Sequence, residues 1–250
     1  MGNAGKSESA WRSLAVFPRC TPKRKRGTTA ALNEEELRDF SRLTRTDALS
    51  MSVRGKRNGR HAYASVSEGD WFAPVLYEES FVQLGDWHIV VLNSEFDLVG
   101  GCGSGSVQEQ WLRQDLKDHP TKCTLAYWHK PLFSSGAKHG NDGEMKPFWD
   151  ALYAANVEVV INGHDHDYER FAPQDPTGKS DPQRGIREFV VGTGGKNSHR
   201  IFASTQPNSE MRQADTFGVL KLTLYSTSYD WEFVPEEGKT FKDSGSAMCH

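Results

Sequence analysis

The sequence predicts an α/β fold built on a mixed sheet that packs as a sandwich and is flanked by helices. Three observations predict it. Short β-branched or apolar runs alternate with amphipathic helical stretches in the middle of the chain. Two of those runs end in histidine, at His129 and at His164-Asp165-His166. Two alternating segments near the end, 217–224 and 228–234, are separated by a short turn and read as an antiparallel hairpin.

The elements follow in order. Residues 1–74 show little apolar periodicity and hold 14 Lys and Arg against 8 Asp and Glu; the remainder holds 16 against 25. Such a shift marks a boundary, so a basic, loosely ordered segment (1–74) is expected before a folded domain (75–250). One helix is expected in the first segment, from an Asn33 cap through three glutamates to about residue 43. Beyond residue 75, residues 88–93 read as a buried strand. A glycine-serine loop follows, and Ser106 with Glu109 matches a capping box. Val107, Trp111, Leu112 and Leu116 then share one helical face. Residues 123–128 form the next strand, 148–155 a second helix, 157–161 a third strand and 187–193 a fourth. Trp111, Phe148, Trp149 and Trp231 fall in these patterns and are expected in the core.

Composition excludes several classes. No run of eighteen apolar residues is present, so no membrane span is expected. Residues 1–15 have no continuous apolar stretch, so no secretory leader is visible and location is left open. The four cysteines (Cys20, Cys102, Cys123, Cys249) follow no zinc spacing and are too scattered to imply a disulfide scaffold. A net charge of −3 gives no general sign of a nucleic-acid partner. The basic run Lys23-Arg24-Lys25-Arg26 reads as a solvated patch, and a basic-tailed nucleic-acid binder is the weaker alternative. Gly2 to Ser7 fails the phosphate-loop spacing, and Lys6 fails the myristoylation pattern.

The chemistry concentrates after the strands. In an α/β sheet, ligands bind outside the C-terminal strand ends. His129, His164 and His166 each follow a strand, and neutral imidazole is a common ligand for divalent metals. Asp165 and Asp167 lie close in sequence, but a neighbouring residue on an extended segment points the other way. Asp86-x-His88 precedes its strand and is read as a turn.

Tyr127-Trp128-His129-Lys130-Pro131-Leu132-Phe133-Ser134-Ser135-Gly136 and Asn162-Gly163-His164-Asp165-His166-Asp167-Tyr168-Glu169-Arg170 resemble the last two metal motifs of calcineurin-like metallophosphoesterases, of the purple acid phosphatase type. Segments 84–95, 110–112, 190–195 and 229–231 fit in the same order. The resemblance covers roughly residues 75 to 250. It implies the metallo-dependent phosphatase sandwich, incomplete at its N-terminal side. It also implies hydrolysis of phosphate esters with two metal ions in the family (Fe, Zn or Mn), and one or none here. By it, His129 and His164 bind one metal and His166 the other. His139 protonates the leaving group, and Asn162 orients the strand end or the substrate. The family's Asp-x-His, its Gly-Asp-x-x-Tyr with the bridging carboxylate, and its Gly-Asn-His are absent in the proper context. The implied partner is a phosphate-ester substrate, with self-association through an exposed sheet edge. The alternative is an inactive remnant that binds metal weakly or binds a protein partner. Asp39, Asp47 and Asp70 are the carboxylates before residue 75 that an assembled site would draw on.

Overall fold

The computed structural model describes residues 80–95, 100–194, 202 and 204–250, together with the backbone of strands at 12–19, 48–53, 55–57, 60–62 and 65–67. The strands, in chain order, are β1 (Arg12–Arg19), β2 (Ala48–Val53), β3 (Gly55–Arg57), β4 (Arg60–Ala62), β5 (Ser65–Ser67), β6 (Ser80–Leu84), β7 (Trp87–Val91), β8 (Cys123–Tyr127), β9 (Val159–Asn162), β10 (Tyr168–Phe171), β11 (Arg187–Val191), β12 (Ser209–Gln213), β13 (Gly218–Leu224), β14 (Ser228–Pro235) and β15 (Ser244–Met248). The helices of the described residues are α1 (Val107–Asp118) and α2 (Lys146–Ala154).

Two sheets carry the architecture. The first has the order β12-β10-β11-β9-β8-β7-β6 and the second β15-β14-β13-β1-β2-β5. In the first, β7, β8, β9 and β11 are parallel neighbours, and antiparallel strands close both sides. The crossovers explain this: α1 joins β7 to β8, and α2 joins β8 to β9. A parallel pair needs such a long connection, whereas β13 and β14 need only a turn. The expected mixed sandwich is therefore the observed one.

Alternation sorts the core into two layers. Ile89, Leu125, Tyr127, Val159, Ile161 and Phe189 face Leu220, Leu222, Trp231 and Phe233 of the second sheet. Val90, Ala126, Trp128 and Val160, on the opposite face, pack on Leu112, Phe148, Trp149 and Leu152 of the helices. The central strands are buried on both faces, which is why they read as continuous apolar runs.

Several expectations differ in detail. Strands before residue 75 share the second sheet, with β1 pairing β13, so the segment expected to be loosely ordered contributes strands. The helix expected from Asn33 lies outside the described residues. Ser106 caps α1 as expected, accepting from the Glu109 amide at 3.3 Å. However, Val107 is 71% exposed, and the buried face of α1 carries Gln108, Glu109, Leu112 and Asp115. Gln108 is drawn inward because its amide pairs with both main-chain polar groups of Asn93. Cys123 and Cys249 form a disulfide across 126 residues of sequence. It staples the start of β8 to the residue after β15, a pairing that spacing alone does not reveal.

Candidate metal centre

The site is built where β8 and β9 end. The two strands are parallel neighbours, so their C-terminal ends lie side by side. Hydrogen bonding continues past the strands: the Trp128 amide donates to Ile161 at 3.2 Å, and the Gly163 amide to His129 at 2.9 Å. Asn162 adds a side-chain clamp, its Nδ2 donating to the Trp128 carbonyl at 3.0 Å. This brings the imidazoles together, with His164 Nδ1 3.0 Å from His129 Nε2. His164 takes a left-handed backbone (φ 70°), which a non-glycine residue adopts at a cost. Such a strained residue persists only where its surroundings hold it, and such positions cluster at functional sites.

The third histidine of the site comes from a loop. His139 is exposed, and its ring lies 3.8 Å from that of His164, centre to centre. Asp165 holds that loop. It accepts from Ser134 Oγ at 2.6 Å, the His139 amide at 3.2 Å and the Gly140 amide at 2.9 Å. Asp165 is fully buried, and its carboxylate is turned toward the loop. Two glycines admit it. A β-carbon on Gly192 would lie 1.9 Å from the Asp165 carbonyl oxygen, and one on Gly136 would meet its carboxylate.

Electrostatics keep the pair neutral. Burial, with His164 and Lys130 nearby, pushes the His129 imidazole down to about 3. Burial and His139 push His164 down to about 4. Burial also lowers His139, against the opposing pull of Asp165. Asp167 is pushed up to about 8 by burial and by Asp165 and Glu169. Glu169 is held by Ser135, whose amide and hydroxyl donate at 2.7 and 2.6 Å.

The residues named by sequence thus separate. His129, His164 and His139 are brought together. Asn162 is buried, and its Oδ1 has no hydrogen-bond partner. His166 is buried and lies close enough for its charge to bear on both His129 and His139. Among the described residues, His129, His164 and His166 do not gather their ligand atoms within 4.8 Å of one another. Asp39, Asp47 and Asp70 lie outside the described residues. Ser134, Ser135 and Glu169 lie inside the two motifs read from sequence, which gave them no role; here they fix the loop.

The donor set fits one transition-metal ion at His129 and His164. Two neutral nitrogens face each other at 3.0 Å, and a buried amide oxygen stands at the same strand end.

No family model matches the chain. Over 172 residues it is 31% identical to the probable purple acid phosphatase 20 of Arabidopsis thaliana, covering 63% of this chain and 38% of that protein. Over 165 residues it is 34% identical to purple acid phosphatase 21 of the same plant, covering 59% and 37%. The chain therefore spans well under half the length of these relatives. The solved structure of a purple acid phosphatase from yellow lupin seeds superposes with a TM-score of 0.58 at 20% identity, over 67% of this chain and 32% of that one. That likeness speaks for the fold. By sequence over about three-fifths of its length, and by fold, this chain looks like part of a purple acid phosphatase.

Proposed function

We propose that the chain carries the histidine half of a metal-dependent phosphoesterase centre and acts on phosphate esters. The observation behind this reading is the meeting of His129 and His164 at 3.0 Å, with the His139 ring tilted against His164. The related proteins are acid phosphatases by name, and this supports the substrate class. His129 and His164 would hold one Fe, Zn or Mn ion, with His166 directed to a second. When bound, the metal supplies Lewis-acid activation of the ester and of water. The chain's own groups do the rest. Asn162 fixes the spacing of the two strand ends. The loop held by Asp165 presents His139 to the mouth of the site, where a protonated imidazole donates to the leaving oxygen. The exposure of His139 lets a substrate reach it.

The test uses the full chain, reconstituted with Fe, Zn or Mn and assayed on p-nitrophenyl phosphate. Metal-dependent hydrolysis that His164→Ala removes supports the reading. No hydrolysis with any of the three metals overturns it. The alternative is an inactive relative that binds metal weakly or binds a protein partner. In that case His164→Ala abolishes metal binding at this site while no activity exists to lose.

A further inference from the structure

A second histidine cluster lies at the other end of the first sheet. His88 is the second residue of β7 and registers with Thr124 near the start of β8, whereas His129 follows the end of β8. Five residues of extended chain separate those levels, roughly 16 Å at about 3.3 Å per residue. The C-terminal end of α1 reaches the His88 level. There Asp115 Oδ2 lies 2.6 Å from His88 Nε2, and Asp115 Oδ1 lies 2.9 Å from His119 Nδ1.

We propose that His88, Asp115 and His119 form a binding site for one divalent ion of the Zn2+ class. Their ligand atoms all lie within 4.8 Å of one another. Two nitrogens and one carboxylate are a set that zinc accepts, with a fourth position open to water. The last turn of the helix supplies Asp115, its C-cap residue His119 follows four positions on, and the strand supplies His88 opposite. The two imidazoles are nearly parallel, at 19° with centroids 5.1 Å apart, and Phe81 packs against both.

Both Asp115 oxygens already face a ring nitrogen, at 2.6 and 2.9 Å, so an ion would take the place of the shared protons. His88 and Asp115 are buried, which keeps competing water away from two of the three ligands. The His119 side chain is 37% exposed, which gives the ion its entry path and water its open position. A bound ion would clamp the end of α1 to β7. It would stabilise the folded chain by mass action, without taking part in chemistry at His129 and His164.

The experiment titrates the demetallated full chain with Co2+, read by visible absorption and by metal content. His119→Ala is the informative variant, because His119 is partly exposed and its loss leaves the core intact, as circular dichroism would verify. The expected result is that His119→Ala binds one equivalent fewer than the wild type, or binds it at least tenfold more weakly. His164→Ala keeps that equivalent, and Asp115→Asn loses it. Zn2+ should also raise the melting temperature of His164→Ala, and adding His119→Ala to that variant should abolish the rise. Co2+ stoichiometry and affinity in His119→Ala equal to the wild type would overturn the proposal, as would a wild-type chain that binds no Co2+. Because His164→Ala removes the other site, failure here is separable from failure of the phosphoesterase reading.

Discussion

Gly136 and Asp165 are in such close contact that a β-carbon added to the glycine would lie 2.1 Å from the carboxylate carbon. The relationship couples the loop carrying His139 to the strand end carrying His164. A methyl group there must push the carboxylate away from the His139 and Gly140 amides that it accepts from. Gly136→Ala is therefore expected to destabilise the chain by about 1–3 kcal/mol. Amide hydrogen exchange at residues 139 and 140 should accelerate while exchange in β8 stays slow. Unchanged protection at both amides would show that the contact does not hold the loop.

His139 makes a distinct kinetic prediction under the phosphoesterase reading. A proton donor matters most for a poor leaving group. His139→Ala should lower kcat on phenyl phosphate by roughly 10²–10⁴-fold and leave p-nitrophenyl phosphate much less affected. An equal loss on both esters would assign His139 to binding rather than proton transfer.

Glu158 gives a pH dependence away from the histidines. It is buried between β8 and β9, accepts from the Thr124 amide at 2.6 Å, and is pushed up to about 8 by burial. Unfolding returns it to its ordinary value near 4.5. Between those values the folded state holds the extra proton, so stability falls as pH rises from about 4.5 to about 8. From pH 5 to 7.5 the loss is about 2–3 kcal/mol at most. Urea denaturation of the wild type against Glu158→Gln should show a shallower slope in the variant, Asp167 keeping its own share.

Asp243 works in the opposite direction. It accepts from Tyr168 Oη at 2.6 Å and Arg170 Nε at 2.7 Å. Despite the opposing effect of burial, these donors hold its carboxyl below the ordinary value. Its contribution is present above the ordinary carboxylate range and is lost as pH falls through the folded value. Asp243→Asn weakens the pairing of a largely buried guanidinium that keeps Glu210 as its other partner, and should cost about 1–3 kcal/mol at neutral pH. Thermal melts at pH 7 and pH 3 should converge for the two proteins.

The Cys123–Cys249 bridge spans 126 residues. On the chain-entropy argument its removal costs about 4–5 kcal/mol. Cys249→Ser should lower the urea midpoint, and a reducing agent should lower the wild type to match it while leaving the variant unchanged.

What was legible in the sequence follows physical rules. β7, β8 and β9 were readable because strands covered on both faces need unbroken apolar side chains. Their histidine ends were readable because a hydrophobic run that stops at Gly-His-x-His has little other use. β10, β12 and β15 were not, since edge or near-edge strands such as Ser209–Gln213 carry mixed polarity. The inward face of α1 was misjudged at Val107 because polar partners, Asn93 for Gln108 and His88 for Asp115, set the helix rotation. His139 was reachable only by family resemblance. Its link to Asp165 depends on the shape of a loop, which carries no periodic signal.

The chain order of the two sheets has a consequence for how the molecule assembles. The first sheet is drawn from one continuous stretch, β6 to β12, so it can form early from neighbouring segments. The side of it that meets the second sheet, with Ile89, Leu125, Tyr127 and Phe189, is sealed by residues such as Leu222, Trp231 and Phe233, which come later in the chain. Until they arrive, a half-assembled intermediate presents a broad oily wall to water. The sandwich that gives the histidines a rigid platform therefore ties the covering of one sheet to the arrival of chain made after it.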